Sequence, residues 1–468
     1  MKKLLRVLGW ILGVLVVAWL GVCAWLSYAH PRVTFSAAEL ARTPVPLPKG
    51  FLWGTSTSSH QVEGGNTNDW TRFEAQPGAI EHGDTSAVSA DHWNRMPEDV
   101  ALMKAIKANA YRFSIEWSRL EPREGVWNEE AWARYGDLVR QLHEAGITPA
   151  LTLLHFTLPL WLADRGGVAA PDFPERFGRF AAEAGRRLGP GVDLWITVNE
   201  PNVQMYMGYV IGAWPPQKKS PAEAVQAFAG LLRGHAAAAA ALRAADPGAK
   251  IGVANNVMLL EPRSRLMLGD WLAAAFVDQL WNWSFADAVR DGRARLRLPG
   301  ATLDERIDGL AGSVDFFGLN YYFRYFVRLA PGSPDRVDMT PGPGPRSEVG
   351  GPPPVGDSPP EALFLLMREA WKRYHLPIDV TEGGIADDAG TMRGPLIRGQ
   401  VEAIERARAE GIPVQGYFHW TLVDNFEWEK GYRPRFGLYR LDRQTLARTP
   451  AGGADVFAAL APEGDEKR

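Results

Sequence analysis

From Phe51 onward the chain repeats one pattern: a short β-branched or aromatic run, then a longer stretch with apolar residues three and four positions apart. The runs fall at 51–57, 110–117, 148–154, 194–199, 251–257, 314–321, 377–381 and 415–421. Helical spacing lies near 97–108, 129–145, 174–188, 221–245, 265–280, 359–374 and 395–410, with a last helix expected near 452–461. Eight strands alternating with helices specify a closed parallel α/β barrel better than an open sheet. The 468 residues suit such a barrel, since these domains commonly take ~250 residues and exceed 400 with insertions. One stretch breaks the rhythm. Residues 331–360 hold ten Pro and six Gly, which predicts no packed element. They fall after the sixth strand on the carboxyl face, as a surface loop or as a lid or rim for a cleft there.

Ahead of the barrel, residues 7–26 run for twenty positions without a charge or proline, enough to cross ~30 Å of hydrocarbon as a helix. Lys2, Lys3 and Arg6 precede the run, which predicts a cytoplasmic amino terminus and a barrel on the far side, periplasmic or extracellular. Ser27-Tyr28-Ala29 weakly fits a signal-peptide cleavage site, but the apolar run exceeds the ~7–15 residues of such peptides, which favours an uncleaved single-pass anchor in the cytoplasmic membrane. Val22 before Cys23 argues against a lipoprotein site. The organisation expected is therefore an anchor at 1–30, a Pro-containing extended spacer at 31–50 and a catalytic domain at 51–462.

Charge is nearly balanced at −3, and without Lys2, Lys3 and Arg6 the remainder carries −6, which argues against a nucleic-acid partner. No phosphate-loop motif and no metal-ligand spacing of Cys or His is present. The single cysteine, Cys23, excludes an intrachain disulfide.

The chemistry sits at strand ends. In Leu194-Trp-Ile-Thr-Val-Asn-Glu-Pro201 the β-rich run stops at a proline, which lacks the amide donor of a central ladder and leaves Asn199 and Glu200 at the carboxyl tip. Pro377-Ile-Asp-Val-Thr-Glu-Gly-Gly384 repeats the device with Glu382, and two glycines let the chain turn away. Ligands bind parallel barrels at this end. Alone, a Glu there serves equally as a helix cap; two of them make an acid/base pair. Other strand ends present Gln61, Arg112, His155, Asn320, Tyr322 and the segment from Trp420 to Trp428. Taken singly, Arg112 suits a structural counter-ion, His155 a core histidine and Asn320 a turn. Together they match what glycosidic cleavage needs: one carboxyl to protonate the leaving oxygen, another at the anomeric carbon, and groups to hold hydroxyls. Trp420 and Trp428 belong to a set of 18 Trp, and an indole offers a stacking face for a pyranose. Arg112 and Tyr322 near Glu382 would keep it ionised, and Asn199 beside Glu200 can hydrogen-bond without adding charge.

In these segments the chain resembles the family 1 glycoside hydrolases, retaining β-glycosidases on a TIM barrel. The motifs are FLWGTSTSSHQVEGG at 51–65, YRFSIEWSRLEP at 111–122, TVNEP at 197–201, GLNYY at 318–322, VTEGG at 380–384 and DNFEWEKGY at 424–432, in the family's order. The resemblance implies a general acid/base at Glu200 and a nucleophile at Glu382. It implies that Gln61, His155, Asn199, Glu427 and Trp428 bind the non-reducing sugar, that Trp420 stacks under its ring, and that Arg112, Asn320 and Tyr322 orient Glu382. No metal or organic cofactor is implied. β-Glucosides and β-galactosides are the substrates expected.

Four departures carry information. Gly383 stands where the family's motif has Asn, keeping the turn without a side chain. Phe156 replaces a Trp and lacks its indole donor. Glu427 stands where phospho-sugar members carry Ser, which disfavours a 6-phosphate because a carboxylate repels it. The family's aglycone-platform Trp is missing before Pro360. With the anchor and the Pro/Gly-rich segment, this gives a weaker resemblance to the family's membrane-bound branch that transfers galactosyl groups between galactolipids. A transglycosylase acting on glycolipids at the membrane surface is thus the alternative function, and an inactive sugar-binding protein a third.

Overall fold

The computed structural model describes residues 2–41, 47–333, 336–344, 346–350 and 355–462. Eight strands form the barrel: β1 (Leu52–Ser56), β2 (Ala110–Ser114), β3 (Thr148–Leu154), β4 (Leu194–Asn199), β5 (Lys250–Pro262), β6 (Phe316–Leu329), β7 (Ile378–Gly383) and β8 (Val414–Trp420). Each pairs in parallel with its neighbours in sequence, and β8 returns to pair with β1, so the sheet closes. Closure removes the unpaired edges that an open sheet exposes. The barrel floor is plugged by small and branched side chains: Ala110, Ala150, Leu194, Ile196 and Ala254 pack against Phe316 and Phe418. Alternate residues point outward, and Leu151, Trp195, Val253 and Phe317 join the larger core under the outer helices.

Small residues let those helices come close. Among them, α2 (Phe173–Leu188) packs on α3 (Pro221–Ala245), where a Cβ on Gly178 would stand 3.2 Å from Ala237. Ser220 caps α3 by accepting the Glu223 amide, and Pro221 opens it where no amide partner is needed. At Gly230 a Cβ would lie 1.9 Å from the Val168 carbonyl oxygen, so only glycine admits that contact.

One sequence expectation needs correction, and one expected helix takes a position that spacing alone does not give. The helix expected over 265–280 is α4 (Leu268–Asp278), and it does not lie on the barrel wall. β5 and β6 continue past the rim as a ribbon, with Leu259 opposite Arg324 and Pro262 opposite Val327, and Ala273, Ala274 and Val277 of α4 pack on that ribbon through Leu260 and Val327. The Pro/Gly-rich segment does form packed structure: Val337–Pro341 adds antiparallel to β6, and Val355–Asp357 pairs beside Arg324. Composition alone misses this because the long β6 supplies an edge, and because Asp357 is fully buried while accepting Arg324 and the Gly342 amide. A hairpin of Arg293–Leu298 and Ala301–Arg306 is a further addition between β5 and β6.

The amino-terminal segment is the helix α1 (Lys2–Ala29), apolar and long enough to cross a membrane and 6% buried over its most apolar window. The chain then runs along the outer wall. Phe35 donates its amide to Glu361 at the start of α5 (Pro360–Tyr374), and the turn Ala37–Ala41 lies on α6 (Arg393–Ala409). Pro44 and Pro46 of the expected spacer lie outside the described residues.

Candidate active site

β4 ends at Asn199, and Pro201 begins the next helical turn. Glu200 between them has φ +44° and ψ +60°, a left-handed conformation uncommon for a residue with a side chain. Held there, it is 7% exposed and accepts Asn256 Nδ2 and Asn320 Nδ2 at 2.9 Å each on Oε1. Burial and the nearby Glu382 carboxylate raise its pKa to about 7.

Glu382 is opposite Asn320 in the β6–β7 ladder. Its Oε1 accepts Arg112 Nη1 and its Oε2 accepts the Tyr322 hydroxyl at 2.7 Å. Both partners donate to it, one to each oxygen. Burial and Glu382 itself push the Tyr322 phenol well above its usual range, so it stays a donor. After Glu382 the chain passes close under β8: a Cβ on Gly384 would sit 2.2 Å from the Trp420 carbonyl oxygen. Packing therefore demands glycine at 384, whereas a Cβ on Gly383 would meet only the Gln400 and Tyr417 side chains, at 3.1 Å.

Arg112 joins the two carboxylates into one network. Its guanidinium is fully buried; Nη2 donates to Asn199 Oδ1 at 2.6 Å and Nε to Thr152 at 3.2 Å. Asn199 Nδ2 lies 3.1 Å from His155 Nε2, and Asn320 also donates to Asn199 Oδ1 at 3.2 Å while accepting Thr381 Oγ1 at 2.7 Å. Burial and the Arg112 charge hold His155 well below the usual histidine range, so it is a neutral imidazole. Its ring lies between two indoles, 5.9 Å from Trp420 and 6.1 Å from Trp428, with interplanar angles of 22° and 16°.

Gln61 and Glu427 form the far wall. Gln61 Nε2 donates to Glu427 Oε2 at 3.1 Å and to the Phe426 carbonyl at 2.9 Å. Burial, then Glu429 and Glu382, raise the Glu427 pKa to about 8. Behind this wall lies an aromatic cluster of Trp70, Phe73, Phe156, Trp214, Phe426 and Trp428.

The structure thus brings together at one end of the barrel all eleven residues singled out from the sequence: Gln61, Arg112, His155, Asn199, Glu200, Asn320, Tyr322, Glu382, Trp420, Glu427 and Trp428. Two more belong with them. Asn256 donates to Glu200 and accepts Trp281 Nε1 at 3.1 Å. The signal was present: two adjacent asparagines, Asn255 and Asn256, interrupt the fifth β-rich run, and a buried strand holds amides only where they find partners. Among the described residues no group of three His, Cys, Asp or Glu could hold a metal ion.

A closed (β/α)8 barrel with two buried, differently partnered carboxylates at the carboxyl ends of β4 and β7 defines a glycoside hydrolase. The model of glycosyl hydrolase family 1 matches residues 43–465; the chain belongs to that family and is a retaining β-glycosidase. A 1,4-β-D-glucan glucohydrolase of Thermotoga neapolitana is 34% identical over 428 residues, covering 86% of this chain and 99% of the relative. β-Glucosidase A of Thermotoga maritima is 33% identical over 428 residues, covering 86% of this chain and 94% of the relative. Among solved structures, a family 1 β-glucosidase from Thermotoga maritima superposes with a TM-score of 0.84 at 30% identity, covering 90% of this chain and 98% of that one. A β-glycosidase from Pyrococcus horikoshii gives 0.81 at 34% identity, with 90% and 96% covered.

Proposed function

We propose that the protein hydrolyses β-glucosides or β-galactosides by double displacement, with Glu382 as nucleophile and Glu200 as general acid, then base. The observation that carries this is the asymmetry of the pair. Glu382 sits between a guanidinium and a phenol, whereas Glu200 meets only neutral amides and is held up to about 7. In the first step a Glu382 oxygen bonds to the anomeric carbon as the glycosidic bond breaks, and Glu200 delivers its proton to the leaving oxygen. In the second, Glu200 takes a proton from water, and that water displaces Glu382. Gln61, His155, Asn199, Glu427 and Trp428 hold the sugar hydroxyls; Trp420 lies under the ring; Arg112, Asn320 and Tyr322 position the nucleophile. Hydroxyl donors from a bound sugar would offset the cost of ionising buried Glu427.

Replacing Glu382 with Gly tests the assignment. Turnover of a nitrophenyl β-glycoside should fall on the order of 10⁴-fold, a loss of ~5.5 kcal/mol, and azide should restore it with inverted product. Hydrolysis at the wild-type rate would defeat the assignment.

The helix α1 is read as an uncleaved anchor with its amino terminus in the cytoplasm, the spacer behind it and the barrel outside the membrane. One observation favours a second reading of the substrate, a glycolipid with glycosyl transfer to another: α1 meets the molecule at the carboxyl end of the barrel, Trp19 Nε1 donating to the Leu266 carbonyl at 2.7 Å. Incubation with a galactolipid or glucolipid separates the readings by whether oligoglycosyl lipid or free sugar accumulates.

A further inference from the structure

Outside α1, the described residues expose eight large hydrophobic side chains, and five of them lie together: Leu266, Met267, Leu272, Phe276 and Leu329. Leu272 and Phe276 are four apart on the outward side of α4, at 64% and 60% exposure, and Leu266 in the loop before it is 66% exposed. The inward side of α4 is already satisfied by the β5–β6 ribbon. Its first-turn acid, Asp270, is buried and accepts the Ser264 and Leu329 amides. The helix is therefore apolar on both sides, and the described residues leave Leu272 and Phe276 on its outer side exposed.

What covers it is indicated by α1. Trp19 binds the carbonyl of Leu266, while Arg265 donates to the carbonyls of Ser27 at 3.3 Å and His30 at 2.9 Å, and the His30 ring lies 5.8 Å from Trp271. Arg265 and Leu266 are thus tied to α1 at two levels, eight residues or about 12 Å of helix apart. With the apolar run at 7–26 filling the hydrocarbon core, Trp19 and Leu266 lie about 10 Å inside its outer end, and Arg265 lies at headgroup height. That depth is the ~5–10 Å to which interfacial helices sink, and an arginine above it is the usual arrangement. Whatever surrounds α1 at Trp19 also reaches Leu266, and α4 with Leu272 and Phe276 follows directly from that loop.

We propose that α4 and the loop before it form a second membrane contact, sinking their apolar side into the leaflet from which α1 emerges and setting the barrel mouth against the bilayer. The contact is coupled to the site by one short segment. The chain leaves α4 through Gln279–Trp283, where Trp281 donates to Asn256, which donates to Glu200. A glycoside whose leaving group is embedded in lipid would meet Glu200 without leaving the membrane.

The inference rests on reading α1 as a span, so the test separates the two. The full chain, with Cys23→Ala, carries one spin label at Leu272→Cys, Phe276→Cys, Trp25→Cys or Lys107→Cys, in phosphatidylethanolamine–phosphatidylglycerol vesicles. Retention after alkaline extraction reports on α1 alone; release would overturn both readings. In retained protein, labels at 272 and 276 should collide with oxygen rather than with a water-soluble nickel chelate, as at 25 and opposite to 107. Nickel accessibility equal to that at 107 would overturn the second contact and leave the anchor standing. Shielding accompanied by spin–spin broadening that vanishes on dilution with unlabelled chain would assign the face to a second copy instead.

Discussion

Glu200 is the residue on which pH dependence turns. Its pKa is raised to about 7, chiefly by burial and then by Glu382, while the hydrogen bonds from Asn256 and Asn320 act the other way. In the proposed role of general acid it works only while protonated, so kcat/KM should fall as pH rises through about 7. Asn256→Ala removes a donor that favours the ionised form. The basic limb should then move to higher pH, with kcat lower by about tenfold from lost positioning; a limb that stays in place would separate Asn256 from the acid. Glu200 and Glu382 are legible in the sequence because each closes a β-rich run, before a proline that cannot continue it in one case and before a pair of glycines in the other. Asn256 is harder to see. It lies inside a strand that runs on past it to Pro262, and nothing in a single β-rich run says where the barrel rim cuts across it.

At the scale of elements, the same blindness to the rim explains the corrected pieces. The strand periodicity at 251–257 and 314–321 marks the parts of β5 and β6 inside the barrel, but both continue as a ribbon whose far side is made by α4 and Val337–Pro341. An eleven-residue helical pattern is the same whether the helix lies on a barrel wall or on a ribbon above it, so residues 265–280 could be read as helix but not placed. The Pro/Gly content of 331–360 records local backbone preference, which a long neighbouring edge and the pairing of buried Asp357 with Arg324 override. Close packing makes the opposite kind of prediction. Gly230→Ala would press a methyl into the Val168 carbonyl inside α3, where neither backbone can withdraw. Chemical denaturation should register a loss of about 3 kcal/mol or more, although alanine is the better helix former.

The whole molecule carries several buried acids, and its stability should reflect them. Glu63 is 2% exposed and accepts the Tyr135 hydroxyl; burial outweighs the nearby Arg119 and raises its pKa from 4.5 to about 7. Folded protein then holds this proton where unfolded chain releases it, so the group's contribution falls as pH rises from 4.5 to about 7 and is flat beyond. Glu63→Gln keeps an acceptor for Tyr135 and removes the titration. Relative to wild type it should gain stability between pH 5 and pH 8, on the order of 3 kcal/mol at most; parallel curves would refute burial of Glu63 as the origin of the slope. Removal of residues 1–30 should make the protein extractable from membranes at alkaline pH while leaving turnover of a soluble nitrophenyl glycoside unchanged, since the catalytic network draws on no residue before Ser56.

The tie between Trp19 and Leu266 has a kinetic corollary. A catalyst fixed in a leaflet with its opening at the headgroups samples lipid-borne substrate in two dimensions. Its velocity would follow the mole fraction of glycoside in the plane and not the amount per millilitre. Adding inert phospholipid at constant glycoside should slow it, whereas a freely diffusing aryl glycoside in the same cuvette would be consumed as before.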